Sequence, residues 1–113
     1  MKSRKKIAYL VSLLKVFDVN FVNEEDYAKI SGLNVNGEVD VRKAIHALMI
    51  PEFAYYSPVA QKRMLGSLRA YLSDDVEDFS ELFDRIELIF DEYLLDRRRF
   101  MSIIQDEWAQ LDN

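Results

Sequence analysis

The chain has 113 residues, half of them hydrophobic, which is enough to bury one core. It contains no cysteine, so disulfides, thiolate zinc sites and thiol catalysis are excluded, and a reducing compartment is favoured. The net charge of −5 argues against an extended nucleic-acid-binding surface, which requires clustered lysine and arginine, and it fits a basic partner better.

The first apolar segment lies at the start of the chain, in MKSRKKIAYLVSLLKVF. A secretory signal has a similar basic and apolar composition, but Lys15 interrupts the apolar run and no small-residue cleavage site follows. Helical spacing instead places five apolar residues on one side of a helix: Ile7, Leu10, Val11, Leu14 and Phe17. No run approaches the roughly 18 apolar residues of a membrane span. We therefore predict a core helix, no membrane contact and a cytoplasmic location.

Two helices are predicted next. Asn23 can cap a short helix that ends near Ser31, where Gly32 supplies the backbone freedom of a C-terminal cap. A third helix is predicted from Glu38 to Met49, and Pro51 should stop it. Residues 24–49 also allow a helix-turn-helix that would present Arg42, Lys43 and His46 to DNA. The long turn and the acidic remainder of the chain oppose that alternative, so nucleic acid is not the expected partner.

The stretch IPEFAYYSP places Phe53, Tyr55 and Tyr56 between two prolines. Aromatic side chains on a stiff loop can anchor a partner, although burial in the core is the more common role. These three residues are secondary candidates for partner binding. Ser57 and Pro58 then form a cap and a first helical position for a fourth helix.

Residues 74–95, DDVEDFSELFDRIELIFDEYLL, have apolar side chains at helical spacing and carboxylates between them. The spacing predicts one long helix with a buried face, formed by Val76, Phe79, Leu82, Phe83, Ile86, Ile89, Phe90 and Tyr93. The opposite face would be acidic, with two leucines seven residues apart. We predict that this face binds a partner through Glu77, Asp78, Glu81, Asp84, Leu88, Asp91, Glu92 and Leu95.

A last helix is indicated by apolar residues from Phe100 to Leu111, and the basic run 97–99 before it suits the C-terminal dipole of the acidic helix or pairs with nearby acids. No alternation typical of strands is sustained. The fold class is therefore predicted to be all-α: a compact single-domain bundle or orthogonal array of five to six helices over residues 1–113.

Catalytic chemistry has little support in the sequence. His46 is the single histidine, and no serine has a recognisable nucleophile context. Carboxylates four residues apart on the acidic helix could share a cation, but no further ligands are apparent, so neither a metal site nor a cofactor is predicted. We expect a protein that is not an enzyme.

The leading hypothesis is a protein-binding module, an inhibitor or immunity-type protein that neutralises a basic toxin or nuclease through the acidic face. The alternatives are the DNA-associated regulator and a structural subunit that self-associates through Leu88, Leu95 or the aromatic loop. The oligomeric state is left open.

Overall fold

The computed structural model describes residues 6–111, which form six helices. Within this range the chain has no regular strand, and the prediction of an all-α fold is confirmed. The helices are α1 (Ile7–Leu14), α2 (Glu24–Ile30), α3 (38–53), α4 (Pro58–Leu72), α5 (Ser80–Arg85) and α6 (Arg97–Leu111).

Helix α1 lies against α4 and α5, and a short 3₁₀ turn, Lys15–Phe17, extends it. Of the predicted buried face, Leu10, Leu14 and Phe17 are fully buried, while Ile7 and Val11 are partly buried against the same core. The edge of the Phe17 ring meets Phe90, with the ring centroids 5.4 Å apart. The helical spacing of this segment therefore predicted its buried face correctly.

Local capping chemistry defines two helix starts and one helix end. The Asn23 side chain accepts a hydrogen bond from the amide of Asp26 at 2.8 Å and begins α2, which ends just before Gly32 at a φ of +86°. Ser57 Oγ accepts from the amide of Ala60 at 3.1 Å, and Pro58 is the first residue of α4. These predictions are confirmed.

Helix α3 continues past the predicted end at Met49. It comprises an α-helical part, Glu38–Ala44, a π-helical turn, Ile45–Met49, and a last turn, Ile50–Phe53, that contains Pro51. Proline lacks the amide that would donate within the helix, and the wider π turn interrupts the regular ladder just before it. The helix therefore accommodates Pro51 instead of ending there.

The prediction of one helix over residues 74–95 is wrong. Only the six residues of α5 are helical, and Phe79 precedes them in the left-handed region at a φ of +63°. The acids before α5 accept hydrogen bonds from amides two residues ahead, Asp74 from Val76 and Asp78 from Ser80. Such short-range bonds offer the backbone an alternative to the helical ladder.

After α5 the chain is not helical and pairs with the end of the first helical segment. The amide of Val19 donates to the carbonyl of Glu87 at 2.8 Å, and the amide of Ile89 donates to the carbonyl of Phe17 at 2.9 Å. Most of the predicted apolar face is buried in this conformation too, as Phe79, Leu82, Ile86, Ile89 and Phe90 show. Val76 and Tyr93 are instead 88% and 91% exposed.

The basic run that begins α6 does not lie at the end of an acidic helix as predicted. The guanidinium of Arg98 donates to the carbonyls of Leu72, Asp74 and Glu77, and so satisfies the C-terminal end of α4 and the loop after it. None of the helices within residues 6–111 combines the length and apolar content needed to cross a membrane.

Candidate protein-binding surface

The eight predicted binding residues are distributed over a loop, a short helix and a non-helical segment. Glu77 and Asp78 precede α5, and Glu81 and Asp84 lie on it. The other four follow α5: Leu88, Asp91, Glu92 and Leu95. The expected single helical face is therefore not formed, and the two leucines do not lie two helical turns apart.

Leu88 and Leu95 have different environments. Leu88 is partly buried, forms the bridge to Asp18 and packs against the core. Leu95 is 83% exposed and lines a cleft of about 420 Å³. The cleft is also lined by the acids Glu77, Asp78 and Asp96 and by the cations Arg97 and Arg98. The structure thus brings Leu95 to the carboxylates before α5 and places Leu88 with the core side chains.

Two carboxylates of this cleft are held by backbone amides. Glu77 accepts from the amide of Phe79, and Asp78 accepts from the amide of Ser80, both at 2.9 Å. The hydrogen bonds from the Ser80 amide and side chain lower the pKa of Asp78 below its ordinary value. Asp78 therefore stays ionised, and its negative charge has a defined position at the rim of the cleft.

The segment 91–95 is fixed to the turn that precedes α3. The side-chain amide of Asn36 donates to the Tyr93 carbonyl at 2.8 Å, and its oxygen accepts from the amide of Leu95 at 2.9 Å. We call this pair of bonds the Asn36 clamp. Asp91 accepts from the Tyr27 hydroxyl and Glu92 from the Val35 amide, each at 3.4 Å. Tyr93 and Leu95 consequently project from a backbone with a defined position.

We define the acidic surface as Tyr93 and Leu95 with the carboxylates of Glu77, Asp78, Glu81, Asp84, Asp91 and Glu92. Arg85 pairs with Glu81 at 3.1 Å on this surface. Tyr93 was not among the predicted binding residues, because helical spacing placed it on the buried face. No signal in the sequence separated it from the buried aromatic residues, since its exposure follows from the non-helical backbone.

The three aromatic residues predicted as secondary candidates differ in accessibility. Phe53 is buried and stacks on Trp108, with ring centroids 4.2 Å apart. Tyr56 is partly buried, and burial together with the nearby charge of Glu52 raises the pKa of its hydroxyl. Tyr55 is 87% exposed and is the member of this group that can reach a partner directly.

The residues assigned to a DNA-reading helix are directed largely at α6. Arg42 Nη1 donates to Glu107 at 2.7 Å and to Asp106 at 2.8 Å, and Arg42 also pairs with Glu38. The ring Nε2 of His46 lies 2.7 Å from the other carboxylate oxygen of Glu107. Lys43 is exposed. Arg42 could contact the base edges of DNA only if its ion pairs with these acids were broken.

Glu107 is a buried charge that the sequence did not indicate, since it is only 5% exposed. Burial alone raises the pKa of this carboxyl, but its hydrogen bonds to Arg42 and His46 outweigh that effect, and the pKa lies below its ordinary value. The same acids raise the pKa of Arg42. Glu107 and Arg42 are therefore both charged, and their ion pair joins α3 to α6.

The described part of the chain contains no group of three or more histidine, aspartate or glutamate side chains placed to hold a metal ion. Comparisons with protein-family models, with curated proteins and with solved structures found no match. The function is therefore inferred from the surface chemistry of the chain itself.

Proposed function

We propose that this chain is a non-enzymatic protein-binding module that recognises a basic protein through the acidic surface. The observation that carries the proposal is the position of Tyr93 and Leu95, which are 91% and 83% exposed on a segment held by the Asn36 clamp. Large apolar side chains presented by a fixed backbone lose little entropy when they bind, so they are effective anchors.

The carboxylates of the acidic surface define the chemistry expected of the partner: Glu77 and Asp78 line the same cleft as Leu95, and Asp91 and Glu92 directly precede Tyr93 in the chain. Potentials of opposite sign steer two proteins together and select the correct partner, whereas buried apolar contacts supply much of the affinity. The partner should therefore present lysine and arginine around an apolar pocket. Tyr93 and Leu95 would occupy that pocket, and the carboxylates would form the charged rim.

An inhibitor or immunity-type role in the cytoplasm is the more specific form of this proposal. A toxin or nuclease that acts on nucleic acid needs a basic surface for the phosphates. An acidic surface of this kind would cover such a region and exclude the substrate. The net charge of −5 supports this interpretation.

The test uses basic proteins encoded beside the gene for this chain, purified and immobilised for measurements of association and dissociation rates. Charge reversal at Asp84 and Asp91 should slow association, most strongly at low salt. Tyr93→Ala with Leu95→Ala should mainly speed dissociation.

The matched control reverses the same number of charges at Glu25 and Glu52, which are exposed on α2 and α3. It should leave both rates nearly unchanged. Equal effects of the two charge-reversed proteins, or binding that is insensitive to loss of both anchors, would reject the acidic surface as the docking site.

Self-association is the second candidate, and the high exposure of Tyr55 and Leu95 favours it, because exposed apolar side chains also mark contacts between copies. Sedimentation velocity distinguishes it from a monomeric inhibitor. A mobility-shift assay at low salt tests the DNA-associated alternative, for which we expect no shift at micromolar protein.

A further inference from the structure

A groove runs between α4 and α6, and none of the residues that line it belongs to the acidic surface. It consists of two cavities of about 540 and 340 Å³ that share the side chains of Leu65 and Trp108. Phe53, Val59 and Leu111 line the larger cavity, and Leu68 and Ala109 line the smaller one. Because the cavities adjoin at two side chains, they form one elongated depression.

The floor of the larger cavity is mainly apolar and partly open to water, whereas Ser102 and Gln105 make the lining of the smaller cavity about as polar as it is apolar. Phe53 and Trp108 stack beneath the larger cavity, while Val59 and Leu111 at its margin are 58% and 49% exposed. The buried indole Nε1 of Trp108 has no hydrogen-bond acceptor among the described residues. Covering this floor would remove apolar surface from water, which is the main source of affinity in a groove.

The rim of the groove has a charge opposite to that of the whole chain. Helix α4 carries Lys62, Arg63 and Arg69 and no acidic residue, although the net charge of the chain is −5. Lys62 lines the larger cavity and Arg69 the smaller one. They are seven positions apart on the helix, or about 10 Å along its axis. Asp106 also lines the smaller cavity and pairs with Arg42 at 2.8 Å, but Arg42 is shared with Glu38 and Glu107, so this end of the groove is less basic than the end beside Lys62.

We propose that this groove binds an acidic amphipathic helix from a second protein. The apolar floor of the larger cavity, with Leu65 and Leu68 continuing into the smaller one, suits the apolar stripe of a third helix. Two cations spaced by two helical turns match carboxylates seven residues apart on the incoming helix. The chain then has two docking surfaces of opposite charge, one for a basic protein and one for an acidic helix, and it can bridge two partners.

Trp108 provides a direct readout because it is the single tryptophan of the chain and lines both cavities. The probe is a synthetic 15-residue helical peptide with leucines at positions i, i+3, i+4 and i+7 and glutamates on the flanks. Its matched partner has lysine in place of each glutamate. We expect a saturable change in Trp108 fluorescence with the acidic peptide and at least tenfold weaker binding of the basic one.

Lys62→Glu with Arg69→Glu should weaken binding of the acidic peptide at least tenfold at low salt. The control, Lys29→Glu with Lys43→Glu, makes the same charge change at exposed positions of α2 and α3 and should bind as the parent does. Val59→Asp, at a largely exposed position, should abolish binding without unfolding the protein. Far-UV circular dichroism and thermal unfolding verify that each variant is folded.

Several results would overturn the proposal. One is the absence of a saturable response to the acidic peptide, and another is equal binding of the two peptides. A response to decanoate but to neither peptide would assign the groove to a small apolar acid. A dimer in sedimentation that Val59→Asp dissociates would make a second copy of the chain the occupant.

Discussion

The network around Glu107 predicts an asymmetric effect of removing its members. In Arg42→Met the Glu107 carboxylate stays buried without its arginine and keeps the His46 ring at 2.7 Å. Removing the cation from a fully buried pair costs about 3–5 kcal/mol, and the His46 contact reduces that loss. The side chain of Arg42 is 26% exposed and that of Glu107 is 7% exposed, so solvent screens part of the loss. We expect Arg42→Met to lower the free energy of unfolding by about 2–3 kcal/mol.

Removal of the Glu107 carboxylate should lower the free energy of unfolding much less than removal of Arg42 does. In Glu107→Leu no charge is left buried, because Arg42 keeps Glu38 at 3.0 Å and Asp106 at 2.8 Å. We expect a loss of about 1 kcal/mol or less, and a double variant within about 1 kcal/mol of the parent. Urea unfolding at pH 7 measures all four proteins. An equal loss in the two single variants, or a loss below about 1 kcal/mol for Arg42→Met, would refute this reasoning.

The pH dependence provides an independent check. The folded-state pKa of Glu107 is lowered, so its ion pair contributes stability above the unfolded-state pKa of about 4.3 and loses it as the pH falls through the folded-state value. In Arg42→Met, burial of Glu107 is no longer offset by this cation, so burial raises the pKa of the carboxyl and favours its protonated form. The stability difference between parent and Arg42→Met should therefore shrink below about pH 4. Glu38 and Asp106 also lose this cation but are exposed. A constant difference from pH 7 to pH 3 would contradict the assignment.

Three further changes test local features of the fold. Gly32→Ala should destabilise the folded protein by about 1–2 kcal/mol, because the backbone φ at this position is +86°. Gly37→Ala should be nearly neutral, because a Cβ at this position would meet no atom closer than 3.6 Å. Thermal unfolding compares the two variants. Asn36→Ala removes the acceptor of the Leu95 amide and should speed hydrogen exchange at that amide. Unchanged exchange would show that the Asn36 clamp does not hold this segment. Arg98→Lys keeps the charge but loses the planar guanidinium that reaches several carbonyls at once. We expect the free energy of unfolding in urea to fall by about 1–2 kcal/mol. Stability equal to that of the parent would show that a positive charge alone is enough to hold the end of α4.

The caps and turns of this fold could be predicted from sequence because they depend on neighbours. Asn23 reaches the amide three residues ahead, Ser57 does the same, and Gly32 needs only its own lack of a side chain. Pro51 shows the limit of such rules. A proline usually ends a helix, yet a π turn before it lets α3 continue.

The candidate sites were only partly predictable. The sequence identified the carboxylates of residues 77–92, but it did not show that Tyr93 is exposed. The contacts of Glu107 with Arg42 and His46 join residues more than 60 positions apart in the chain. No pattern of spacing indicates such a contact, because it depends on how α3 and α6 pack. The groove beside Trp108 depends in the same way on the packing of α4 against α6.

The sequence by itself determined the helical class, the caps and most of the buried side chains, because each of these depends on local hydrogen bonds or on side-chain polarity. Residues 74–95 show what it did not determine. Phe79, Ile86 and Phe90 are buried as the spacing predicted, although only α5 is helical. Hydrogen bonds from side chains to nearby amides and pairing with residues 17–19 favoured another backbone path that buries the same side chains. Only the tertiary structure decided between the helical and the non-helical backbone. Burial stabilises an apolar side chain in either conformation, so the apolar pattern alone does not distinguish them.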